Sequence, residues 1–271
     1  GWPPLTLLLP LAVLADYDAP HFVHRSRLSR SGHSLHFLTF NIEKAETNPQ
    51  GIASLLRTIN ADVVALQELS QTAAAYFADT LCDLYPYQAL EPQADPYIGQ
   101  GVLSRFPITA DEYWYHPELA YSLGQQRVEL NINGMTIVLY NTHPATPISW
   151  VKGITTNAHH FEIAEVLNRA AAETAPVLLM GDFNMTTHFD EYALITRAYT
   201  DAFAKVGDPS FGFTYPGRGW RPLPPFLRLD YIFYDRHFRG VRTRVWPDCG
   251  PSDHYPVLAE LELRALAKSS R

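Results

Sequence analysis

Val177-Leu178-Leu179-Met180-Gly181-Asp182-Phe183-Asn184 is an apolar run that ends in a glycine turn, a carboxylate and an amide. A run this short and apolar is expected of a strand buried on both faces. Asp182 and Asn184 are two positions apart, which in an extended segment sends both side chains to one side. An Asx-rich turn capping a following helix would show the same residues. Asp62-Val63-Val64-Ala65-Leu66-Gln67-Glu68 repeats the design, a second buried strand that surfaces in a carboxylate. Such a group must be paired or bound to a cation, or it neutralises.

Working outward, four more polar clusters sit at the ends of apolar runs: Asn41, Asn141-Thr142-His143, Asp230, and Ser252-Asp253-His254. Carboxylates, amides and histidines where buried strands surface are what an α/β active site requires. A carboxylate with an amide oxygen makes a hard site, suited to Mg²⁺ or Mn²⁺, with Ca²⁺ a further option, rather than Zn²⁺. A histidine general base needs an acceptor to fix its tautomer, and a second carboxylate serves the ion. A Ser252/His254/Asp230 triad is the competing reading. It is set aside because Ser252 lies in a proline loop two residues from the histidine and no G-x-S-x-G elbow exists.

The remaining pattern mixes hairpins with β-α units. Strands are expected at 36–41, 62–67, 101–104, from 108, 127–132, 135–140, 177–180, 231–234, 241–245 and 257–263, with a hairpin at Asn133-Gly134. Helices are expected at 51–60, with Ile52, Leu55, Leu56 and Ile59 inward, and after Ser70. A third is expected at 157–172, with Phe161, Ala164, Leu167 and Ala171 inward. The mixture favours packed sheets with outer helices over a purely parallel doubly wound sheet.

In this order the clusters resemble the endonuclease/exonuclease/phosphatase superfamily, the DNase I-like or exonuclease III-like fold. The resemblance runs from Leu35 to about Leu263 and includes Gly101-Val102-Leu103-Ser104-Arg105-Phe106-Pro107-Ile108. It implies an α/β fold, a four-layer α/β/β/α sandwich of two mixed sheets, with the site at one sheet edge. On it, Asn41 and Glu68 bind the divalent ion with Asp253 near it, and His143 donates to a non-bridging phosphate oxygen. Asp182 and Asn184 orient water and phosphate, and His254, held by Asp230, is the general base. The implied reaction is in-line hydrolysis of a phosphoester. One departure stands out: nuclease members often pair the histidine at the His143 position with an acidic residue, and Tyr97-Ile98-Gly99-Gln100 offers none.

The substrate contacts expected are Arg105, Arg218, Trp220 and Arg221. The last three lie in the arginine- and aromatic-rich stretch 217–244, which suits a phosphate backbone with stacked bases or a phosphorylated head group. A net charge of −7 argues against a protein held on duplex DNA by charge alone. Three readings stay open: a nuclease or phosphodiesterase, a phosphatase or lipid phosphodiesterase of the inositol-phosphatase or sphingomyelinase kind, and a catalytically dead binding module.

The organisation expected is an N-terminal segment and linker at 1–34, a catalytic domain at 35–264 and a tail at 265–271, the whole monomeric. Leu5–Ala15 is apolar but shorter than the roughly 20 residues a bilayer needs. It reads as the end of a membrane or signal segment, giving membrane association through 1–15 and a place outside the cytoplasm, or as a segment packing on the domain. The two H-x-x-H pairs, His21/His24 and His33/His36, are a weak metal signal, and Cys82 and Cys249 are expected as unpaired thiols.

Overall fold

The computed structural model describes residues 34–264 apart from 120–121, 150–152, 155, 209–211 and 218–223. In chain order the elements are β1 (Leu35–Lys44), α1 (Pro49–Ile59), β2 (Val63–Leu69), α2 (Gln71–Thr80), β3 (Tyr87–Glu91), β4 (Gln100–Ser104), β5 (Ile108–Trp114), β6 (Gln125–Ile132) and β7 (Met135–Thr142). Then follow β8 (Ile148–Ser149), β9 (Gly153–Ile154), α3 (Thr156–Ala171), β10 (Val177–Asp182), α4 (Asp190–Ile195), β11 (Thr200–Asp201), α5 (Ala202–Val206), β12 (Asp230–Tyr234), β13 (Phe238–Val245) and β14 (Val257–Leu263). A 3-10 turn covers Pro96–Ile98.

Two six-stranded sheets form, in the orders β13-β14-β1-β2-β4-β3 and β11-β12-β10-β7-β6-β5. Each contains one parallel pair, β1 with β2 and β7 with β10, among antiparallel neighbours. One apolar core fills the space between the sheets, with Phe37, Val63, Val128, Leu139, Met180 and Leu261 among its members. A second lies under α1 and α2, and a third under α3 and α4. These are the four layers expected.

Local chemistry sets the boundaries. Asn48 caps α1 by accepting the Gly51 N–H, Pro49 opens the first turn, and Asn60 closes it in the left-handed region. Ser70 Oγ accepts the Ala73 N–H at the start of α2. Asn133 and Gly134 have φ of 55° and 86°, the pair of positive values a tight hairpin needs. Helix α3 departs from the expected phase. It buries His159, Glu162, Ile163, Val166 and Ala170, while Phe161 is 47% exposed with its ring against His116. Apolar periodicity misplaced the face because two of its buried residues are polar.

Topology gathers the site. The C-terminal ends of β1 and β2 carry Asn41 and Glu68, and those of β7 and β10 deliver His143 and Asp182 to the same edge. Asp230 opens β12 directly opposite Asp182, and His254 precedes β14. Beneath them the sheets are joined by buried amides, which satisfy one another in the interior. Gln67 Nε2 donates to Asn141 Oδ1 (2.7 Å) and Thr39 Oγ1 (3.1 Å), and Asn141 Nδ2 donates to the carbonyls of Leu66 (2.9 Å) and Gly101 (3.2 Å).

Candidate active site

Gly181 is extended strand rather than a turn. Its φ is +155°, and a Cβ there would sit 1.8 Å from the Thr142 carbonyl oxygen, so β10 approaches β7 more closely than any side chain allows. That approach sets Asp182 beside the loop that follows β7. Asn184 has φ 49°, and its N–H donates to Asp182 Oδ1 (2.9 Å). The segment is therefore an Asx turn, not the extended dipeptide expected, and Asn184 Nδ2 donates to Pro144 O (3.0 Å).

Asp182 Oδ2 is the meeting point. Asn41 Nδ2 donates to it (3.1 Å), His143 Nε2 faces it at 3.6 Å and His254 Nε2 at 3.7 Å. On its other side His254 Nδ1 bonds Asp230 Oδ2 (2.8 Å). Both imidazole nitrogens of His254 thus face carboxylates. Burial opposes charge on the ring, but Asp230 and Asp182 outweigh it and raise its pKa well above the ordinary value. His143 goes the other way, pushed down by burial to about 4 with Asp182 opposing. Among the described residues no acidic side chain meets its Nδ1, and the Tyr97 backbone is the nearby group acting on the ring, where an acidic partner was missing from the sequence.

A second carboxylate group lies on the first sheet. Glu68 is half-buried, and desolvation with Asp253's charge adding pushes it up to about 7 against the hydrogen bond from Asn41. Glu43, next to Asp253, is raised by burial and by that neighbour. Glu43 was missed in the sequence although Asn41-Ile42-Glu43 displays it, a carboxylate two residues beyond the strand-end amide. Asn41, expected at the ion, links the two carboxylate groups: its Nδ2 bridges Glu68 Oε1 and Asp182 Oδ2 at 3.1 Å each, and its Oδ1 accepts the Glu43 N–H (3.0 Å). Facing two carboxylates, it is the amide nitrogen that turns inward and joins them.

The loops carrying these groups are fastened by residues that the sequence did not single out. Thr214 Oγ1 accepts the N–H groups of Leu229 (3.1 Å) and Asp230 (3.3 Å), and Tyr215 packs its ring 5.0 Å from that of His254. Ser252, the rejected nucleophile, donates to Asn41 O (2.7 Å) and accepts the His254 N–H (2.9 Å), a tie between strands.

Arg105 is a correction. It pairs with Asp62 (2.9 Å) and Asn60 at the start of β2, the edge opposite the site. Its strand, β4, runs antiparallel to β2 and ends there. Arg218, Trp220 and Arg221 lie outside the described residues, as do residues 1–33 with His21, His24 and His33. His36 bonds Asp62. The rest of the arginine stretch is largely structural: Arg228 pairs with buried Asp201, Arg239 with Glu262, Arg242 with Asp208, and Arg244 lies over Trp246. Cys82 and Cys249 are not bridged to each other. No helix among the described residues is long and apolar enough to cross a membrane.

The sequence profile described as "Endonuclease/Exonuclease/phosphatase family" matches residues 38–254, which span every one of these groups. The chain belongs to the endonuclease/exonuclease/phosphatase family. Solved structures share the fold of this family member. An endonuclease/exonuclease/phosphatase from Beutenbergia cavernae is 24% identical with a TM-score of 0.72, covering 85% of this chain and 72% of that one. One from Bacteroides vulgatus is 19% identical at 0.68, covering 86% and 100%. A humanized D. rerio TDP2 is 18% identical at 0.70, covering 84% and 99%. Among curated proteins nothing matches.

Among the described residues, one side-chain group gathers its ligand atoms closely enough to hold a cation, and further carboxylates lie near it on the first sheet. Asp182, Asp230 and His254 bring ligand atoms within 4.8 Å of one another. There the His254 ring already balances the two carboxylates, so a further cation gains little. Glu68 is a second place for one, because a carboxyl raised chiefly by burial, with Asp253's charge adding, is relieved by a divalent ion. All-oxygen donors there suit a hard ion such as Mg²⁺ or Mn²⁺.

Proposed function

We propose that the protein is a divalent-metal-dependent phosphoester hydrolase, a nuclease or phosphodiesterase acting on DNA or another phosphodiester by in-line attack of water. The observation that carries this is the convergence on Asp182 Oδ2 of Asn41, His143 and His254, with the Glu68/Asp253/Glu43 group beside it. An ion held by Glu68 and Asp253 would supply Lewis-acid stabilisation of charge growing on phosphate oxygen.

The chain's own groups do the rest. Asp182, unencumbered at Oδ2 apart from these three neighbours, takes the proton of the attacking water. Asn41 holds that oxygen in place, and the Asn184 N–H fixes Oδ1. His143, kept neutral by burial, presents Nε2 to a non-bridging oxygen. His254, between two carboxylates, gives its proton to the leaving oxygen as the phosphorus–oxygen bond breaks and supplies positive charge for the transition state, and Asp230 holds its tautomer. The base role thus passes from His254 to Asp182.

The test is a panel of plasmid DNA, single-stranded DNA, RNA, bis(p-nitrophenyl) phosphate, sphingomyelin and inositol phosphates, with Mg²⁺, Mn²⁺ or Ca²⁺ and with EDTA. Hydrolysis is expected with Mg²⁺ or Mn²⁺, lost in EDTA, and lowered by roughly 10²- to 10⁴-fold in Asp182→Ala and His254→Ala. Glu68→Ala should also abolish the rise in Tm that Mg²⁺ gives the wild type. Full activity in EDTA or in the two variants refutes the mechanism. Cleavage of only the lipid or inositol substrates moves the assignment to the phosphatase or lipid class, and no cleavage at all favours a binding module.

A further inference from the structure

Helix α3 reaches toward the site through two polar side chains that apolar periodicity would have turned outward. His159 and Glu162 are three residues apart, on one face of the helix, and are 1% and 0% exposed. His159 Nε2 donates to the Phe183 carbonyl (2.9 Å), the residue between Asp182 and Asn184. Glu162 Oε2 accepts the Ala145 N–H (2.7 Å), two residues beyond His143, and Oε1 accepts the Ser122 hydroxyl (2.5 Å). The two loops are tied to each other as well, through the Asn184 bond to Pro144.

A buried carboxylate and a buried imidazole on an otherwise apolar helix face are poor choices for packing alone, because each must find polar partners. Here the partners include the backbones of the two loops that carry His143 and Asp182, beside the Ser122 hydroxyl on Glu162 and the Glu191 carboxylate near His159. We propose that His159 and Glu162 are positioning residues, which hold the His143 loop and the Asp182 turn in mutual register from one turn of α3. The inference rests on the reading of His143 and Asp182 as catalytic. Neither residue touches the reacting atoms; each acts through the backbone it grips. Displacement of a catalytic group by about 1 Å is enough to slow a reaction roughly 10²-fold.

The experiment compares Glu162→Ala, Glu162→Gln and His159→Ala with the wild type, in kinetics on bis(p-nitrophenyl) phosphate with Mg²⁺ and in the imidazole NMR resonances of His143. Glu162→Ala should lower kcat by roughly 10- to 100-fold with KM within about twofold, and shift the His143 resonances. Glu162→Gln should recover kcat to within about threefold and restore the resonances, since an amide oxygen still accepts the Ala145 N–H. His159→Ala should lower kcat in the same range. If Glu162→Ala does not fold, Glu162→Asp, which withdraws the carboxylate by one methylene, carries the same comparison. Wild-type kcat with unmoved His143 resonances in both alanine variants overturns the proposal, as does equal damage from the alanine and glutamine variants. Should the wild type hydrolyse nothing, the functional reading fails, and the His143 resonances still decide whether α3 sets the loop.

Discussion

Glu162→Gln should change the pH dependence of stability by an amount the structure sets. Burial pushes the Glu162 carboxyl from 4.5 up to about 7, against hydrogen bonds from Ser122 and Ala145. A carboxyl raised in the folded state contributes stability that is fully present below its unfolded value and lost as pH rises through the folded one. The window therefore runs from about pH 4.5 to about 7. Integrating the linkage relation between pH 5.5 and 8.5 gives a loss of about 2 kcal/mol from this residue. An amide has no proton to lose, and it can still accept from Ala145 and donate to the Ser122 oxygen. The assay is urea unfolding of both proteins at the two pH values. All other titrating groups act in both proteins, so the difference isolates position 162. With m near 2 kcal/mol/M, the midpoint of Glu162→Gln should gain about 1 M on the wild type as pH rises. Parallel pH profiles would show that Glu162 is ionised throughout, and the burial argument would be wrong.

Two further outcomes follow from the packing. Asp201→Ala removes a carboxylate that accepts from Arg228 (2.8 Å), Tyr192 Oη (2.9 Å) and the N–H groups of Phe203 (2.9 Å) and Ala204 (3.2 Å). It leaves a buried guanidinium without its carboxylate, which should lower stability by about 3–5 kcal/mol in chemical unfolding; a loss below about 1 kcal/mol would contradict the buried pairing. Gly181→Ala must part β7 from β10, so a loss of roughly 3 kcal/mol or more and a sharp fall in soluble yield are expected; a Tm equal to wild type would mean the approach is looser than 1.8 Å implies.

Strands and layers were legible because a buried strand is short, apolar and bounded by turns, and this chain's strands follow that rule closely. The site was legible for a related reason: Glu68 and Asp182 end runs too apolar to tolerate a carboxylate without purpose. What failed were inferences about direction. Arg105 lies within a segment that resembles a family motif, but it follows an antiparallel strand and so emerges at the wrong edge. The face of α3 was misjudged because hydropathy cannot separate a solvated His159 or Glu162 from one buried against loop backbone. Glu43 was overlooked because its backbone, with φ 46°, leaves the strand geometry on which the reading of Asn41 depended. The orientation of the Asn41 amide is set by carboxylates that come from distant parts of the chain.

The backbone around the site points the same way as its side chains. Among the described residues, seven that are not glycine have positive φ. Asn60 and Asn133 stand at a helix C-cap and a hairpin, where asparagine suits that conformation. The other five, Glu43, Lys44, Ala45, Glu68 and Asn184, lie on the segments that carry the two carboxylate groups. Each costs about 1–3 kcal/mol and persists only where its surroundings over-determine it. The surroundings are the ties already named: Asn41 across Glu68 and Asp182, Ser252 onto the Asn41 carbonyl, Thr214 beneath Asp230, and His159 and Glu162 behind the second sheet's loops. An edge built only for stability would shed both the strain and the clustered charge. Their retention together, at the one edge where both parallel strand pairs end, is the physical argument that this edge is kept for chemistry.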